Sequence, residues 1–94
     1  MRSAGTILLN RKRVTELLTL EECIVAVEEA FRLYGSGRAA PPGILGVPAE
    51  GGGFHIKAAL LDVGSRYFAL KANANFFNNS NLHSMPNIQG LVVL

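Results

Sequence analysis

Residues 67–76, YFALKANANF, alternate with a period of two. That spacing sends successive side chains to opposite faces of a β-strand. Phe68, Leu70, Ala72, Ala74 and Phe76 form one wholly apolar face, and Tyr67, Ala69, Lys71, Asn73 and Asn75 form the other. The second face carries an ammonium and two carboxamides in a row. A polar loop follows (Asn78, Asn79, Ser80, Asn81), and Met85-Pro86-Asn87-Ile88-Gln89-Gly90 leads into a last strand over residues 91–94. The same alternation predicts a strand over 54–61, with His55 and Lys57 on one face and Phe54, Ile56, Ala58 and Leu60 on the other. Asp62-Val63-Gly64-Ser65-Arg66 supplies the turn between these two strands.

Upstream the period changes. Asn10 is placed to cap a short helix reaching Leu18, with Val14, Leu17 and Leu18 inside. Thr19-Leu20-Glu21-Glu22 reads as a capping box opening a second helix. There Cys23, Ile24, Val27, Ala30, Phe31 and Tyr34 recur at three- and four-residue spacing, about four turns in all. Gly35 and Gly37 close it, because glycine enters the left-handed C-cap conformation cheaply. Cys23, on the apolar stripe, reads as a core residue rather than a nucleophile. Residues 38–43, with Pro41 and Pro42, form a rigid extended link. Residues 44–47 read as a short strand and 6–9 as an edge strand. Gly51-Gly52-Gly53 leads into a strand and not a helix, so it reads as a hairpin turn and not a phosphate cradle. Two helices followed by three or four hairpin-linked strands predict an α+β domain, its helices packed on a mostly antiparallel sheet.

Composition narrows the picture. The chain has 94 residues, 49% hydrophobic and 17% charged, enough for one modest core and too apolar for disorder. So low a charge content hints at surface meant to be covered by a partner. The net charge of +2 is too small and too scattered for nucleic acid. One cysteine excludes an internal disulfide and fits a reducing compartment. No apolar run approaches the ~18 residues of a membrane span, and the N-terminus lacks a signal-peptide core. A cytoplasmic protein, with neither nucleic acid nor membrane as partner, is the expectation.

Short catalytic signatures such as G-x-S-x-G, H-E-x-x-H and G-x-G-x-x-G do not occur. His55 and His83 have no cysteine or carboxylate at ligand spacing, so no metal is expected. The residues by themselves support a small-anion site built from Lys57, Lys71 and the amides near them. An ordinary solvated face of an antiparallel sheet gives the same pattern.

Four blocks in order resemble the opening of the ornithine cyclodeaminase/μ-crystallin family. They are ILLNRKRVTELLTLEECIVAVEEAFRLYGSGRAAPP, GGGFHIKAALL, YFALKANANF and MPNIQGLVVL. The resemblance covers nearly the whole chain. It implies a substrate-binding and dimerisation portion (residues 1–94 as a single partial domain) from a two-domain dimer. The Rossmann domain that binds NAD(H) or NADP(H) would follow it, so no cofactor is expected on this chain. Activities in the family include deaminating cyclisation of ornithine, amino- or imino-acid dehydrogenation and ketimine reduction.

By the same resemblance Lys71 corresponds to a lysine that contacts the substrate near its carboxylate. Asn87 stands where the family's P-T-x-Q-G motif has threonine, and Gln89 and Gly90 match that motif. The family arginine after the double proline is Gly43 here, which puts ornithine in doubt and leaves Lys57 or Arg38 to supply the charge. Lys71, Asn87, Lys57, Asn73 and Gln89 are thus the expected substrate-binding set, for a small amino or keto acid. No catalytic residue is expected, because the family's acid/base aspartate belongs to the later domain. The chain is expected to be inactive alone, as a fragment or as a substrate domain retained for binding or assembly. The alternative is a freestanding, non-enzymatic module that self-associates through its sheet as a homodimer or larger homo-oligomer.

Overall fold

Local chemistry sets the helix boundaries. In the computed structural model, which describes residues 5–94, Asn10 takes an extended backbone and its side chain accepts from the Arg13 N–H at 3.0 Å. Helix α1 (Arg11–Leu17) follows and ends at Leu18, whose N–H returns to the Val14 carbonyl. Thr19 starts α2 (Leu20–Gly35). Its hydroxyl oxygen accepts from the Glu22 N–H at 3.2 Å, and the hydroxyl donates to the Glu22 carboxylate at 3.0 Å. The reciprocal pairing of a capping box is present, but the carboxylate meets the threonine hydroxyl rather than its backbone N–H. At the other end Gly37 has φ of +76°, and Arg38 N–H reaches Leu33 O at 2.9 Å while Gly37 N–H reaches Tyr34 O at 3.1 Å. That pair of bonds is a Schellman closure, the expected use of Gly37.

Two compact units divide the chain at residues 32 and 33, within the last turn of α2. In the first unit, residues 5–10 form no strand, contrary to the edge strand expected over 6–9. Three of those four residues (Ile7, Leu8 and Leu9) are apolar in succession without alternation, and a strand exists only where a neighbour completes its backbone ladder. Cys23 is half-buried rather than a core residue. Among the described residues Leu33 alone is buried, at 6% exposure.

The second unit is a four-stranded antiparallel sheet in the order β1-β2-β3-β4, with β1 Gly43–Ala49, β2 Gly52–Asp62, β3 Arg66–Phe76 and β4 Ile88–Val93. With the helices, this gives the α+β class. Every connection joins neighbours, so each turn fixes a register. Gly51, with φ of +78°, closes the first hairpin so that Ala49 faces Gly52. Gly64, with φ of +98°, closes the second, its N–H held by the Asp62 carboxylate at 3.2 Å. Partners in β2 and β3 lie equally far from Gly64, which sets Lys57 opposite Lys71 and His55 opposite Asn73. The alternating faces are those expected from the sequence. On the apolar face the Phe54 and Phe76 rings meet edge to face, centroids 5.5 Å apart.

The polar segment after β3 holds a short helix, α3 (Asn79–His83), where the sequence suggests only a loop. Strand β4 begins at Ile88, so Gln89 and Gly90 lie inside it and not in its approach.

Candidate functional site

Antiparallel partners project from the same face of a sheet, so the register assembles rows of side chains across strands. One row reads Ile44, Lys57, Lys71, Val92, and the next reads Gly46, His55, Asn73, Gly90. A third reads Pro48, Gly53, Asn75, Ile88. Lys57 and Lys71 therefore face each other directly, with Cβ atoms about 4.5–5.5 Å apart as in any such pair. His55 and Asn73 form the next rung, about 6.6–6.8 Å along the strands. The four side chains make a rectangle of hydrogen-bond donors. Both lysines and His55 are exposed, and Asn73 is half-buried.

The charges around this rectangle are one-sided. Residues 1–32 carry five basic and five acidic side chains, whereas 33–94 carry four basic and two acidic. The excess of +2 thus belongs to the sheet unit. Its two acids are Glu50, in the first turn, and Asp62, which faces Arg66 across the second hairpin. Asp62 lies on the opposite face, and Glu50 lies outside the strands. The two ion pairs among the described residues, Arg13–Glu16 at 3.3 Å and Arg32–Glu28 at 2.9 Å, are both helical and exposed. Lys57 and Lys71 have no carboxylate partner there. Like charges set directly opposite are unfavourable, and an anion between them removes the repulsion.

The amides fall into two groups. Asn79 donates to the Pro86 carbonyl at 2.9 Å, Asn81 to the Asn78 side chain at 2.6 Å, and Gln89 to Pro86 at 3.4 Å. Asn87 accepts from the Ser80 N–H at 2.9 Å, and its own carbonyl accepts from Phe76 N–H at 2.8 Å. These bonds tie α3 to the start of β4. Asn73 and Asn75, on the strand, take part in none of them. Of the five expected site residues, Lys57, Lys71 and Asn73 come together. Asn87 sits instead in the α3 loop as a capping group, and Gln89, opposite Ala74, falls on the other face. His55 is the addition, and its signal was its parity with Lys57.

No three His, Cys, Asp or Glu side chains gather as a metal site among the described residues. No helix among them is long and apolar enough to cross a membrane. Gly51 and Gly52 run directly into β2, so this turn offers a dinucleotide phosphate no helix N-terminus. Comparison with protein-family models, curated proteins and solved structures gives no match.

Proposed function

We propose that this chain is the substrate-binding and dimerisation portion of an ornithine cyclodeaminase-like, NAD(P)-dependent amino- or imino-acid enzyme. Lys71 meets the substrate carboxylate, with Lys57 as the second cation, and Asn73 and His55 donate to the same anion. The observation that carries this reading is the lysine pair, opposed across β2 and β3 on a face with no carboxylate. Lysine acts there as a compact point charge, and a charge-assisted hydrogen bond contributes roughly 1.5–3 kcal/mol. Lys57 takes the part of the arginine that the family pattern places at Gly43. NAD(H) or NADP(H) binds outside these 94 residues, which hold no dinucleotide fingerprint. The chain alone then binds acid without turning it over.

Calorimetric titration of the 94-residue chain with a 2-oxo acid tests the reading. Lys71→Ala weakens binding by about tenfold or more at a melting temperature that does not fall. Unaltered affinity returns Lys71 to a solvated sheet face. Saturable binding of NADH by this chain would contradict the assignment of the cofactor elsewhere.

A second reading, a non-enzymatic module that self-associates through its sheet, has its own supporting observation. Strand β4 is an edge in this sheet, and Leu91, Val92 and Val93 on it are exposed. It carries neither a charge nor a proline to discourage pairing with another chain.

A further inference from the structure

Next to the donor rectangle the sheet face is hollow. From Lys57, β2 runs back through His55 to Gly53 on the same face, and Gly46 lies beside His55 on β1. The two glycines leave bare backbone where neighbouring positions carry side chains. The space, about 350 Å³, is bounded by Pro48, His55, Asn75 and Phe77. That is the lower end of the range for small-ligand sites. Phe77 is held at the rim by its N–H, which donates to the Gly51 carbonyl at 3.1 Å. Glu50, in the adjoining turn, does not line the hollow. One end of the site is therefore cationic, and the other is a mostly hydrocarbon recess without a carboxylate.

Resting on the carboxylate reading above, we infer that the preferred ligand is a 2-oxo or 2-amino acid with an aryl or branched-alkyl side chain. Its carboxylate sits against Lys57 and Lys71, and its side chain fills the hollow floored by Gly46 and Gly53. The rung spacing matches such a molecule, because His55 lies one rung, about 6.6–6.8 Å, from Lys57. An acid with a cationic side chain is disfavoured, since its second charge finds no carboxylate in the recess and would be desolvated there.

The test compares phenylpyruvate with pyruvate in NMR titrations of the 94-residue chain. Phenylpyruvate binds about tenfold tighter, because only it removes a ring from water. Gly46→Val fills the hollow, and a Cβ at Gly46 meets nothing within 4 Å, so the backbone has no reason to move. This variant lowers phenylpyruvate affinity to that of pyruvate measured on the same variant. Phe77→Ala, at a position 69% exposed, removes a wall and reduces the same preference without a folding defect. Equal affinities in the unaltered chain, or a preference that survives both substitutions, overturns the inference while the Lys71 reading stands. A preference retained in full by Lys71→Ala, with pyruvate binding unchanged, overturns that underlying reading instead. Binding of neither acid overturns both.

Discussion

Lys57 and Lys71 each lie seven residues from Gly64, and this equality brings them face to face. It was legible in the sequence once Asp62-Val63-Gly64-Ser65-Arg66 was read as a tight turn. The individual faces were legible too, from period two alone. Which amides join the lysines was less so: Gln89 matched a motif by order, but strand β4 starts early enough to carry it to the apolar face. The opposed ammoniums carry a cost of about 0.2–1 kcal/mol, the range for cross-strand pairs. Lys57→Gln should therefore raise stability toward urea by that much at low salt. The gain should shrink as salt screens the repulsion. Gly52 is a second position where a single atom matters. A Cβ there would lie 2.8 Å from the Phe76 Cα and closer still to the Asn75 carbonyl oxygen. Gly52→Ala should destabilise the sheet by about 1–3 kcal/mol, read as a lower urea midpoint.

At the scale of elements, the caps carried most of the information. Asn10, Thr19 and Gly37 mark boundaries in the sequence because each satisfies backbone groups that a helix end leaves open. Helix α3 was hidden for the converse reason. Its five residues, Asn79–His83, include two asparagines and a serine, weak helix formers, and its Ser80 N–H is satisfied by Asn87, seven residues later. No local pattern announces a cap delivered from that distance. Asn87→Ala should cost about 0.5–1.5 kcal/mol, the value of one hydrogen bond, and should speed amide exchange at Ser80. Residues 6–9 erred the other way, since an apolar run is not a strand without a partner ladder.

For the whole molecule, the sheet leaves two edges, and they are not alike. Strand β1 carries Pro48, which removes a ladder donor, whereas β4 reads IQGLVV without a charge or a proline. Association of the chain is therefore expected through β4 and not β1. Sedimentation at micromolar concentration should show a dimer or larger species, and Leu91→Lys, opposite Ala72 on the face away from Lys71, should shift it toward monomer. A clean monomer before substitution would remove self-association from the account. A second copy along β4 would extend the same sheet face that holds the lysine pair, so assembly and acid binding are separable by measurement.

The central claim is that the Lys57–Lys71 face receives a carboxylate, and mapping backbone amide shifts during a pyruvate titration tests it most directly. Saturable shifts should concentrate at His55, Lys57, Lys71 and Asn73, weaken with added salt and require about tenfold more pyruvate or beyond to saturate in Lys71→Ala. Shifts that are absent, unsaturable, or centred on the β4 edge or the helices would contradict it.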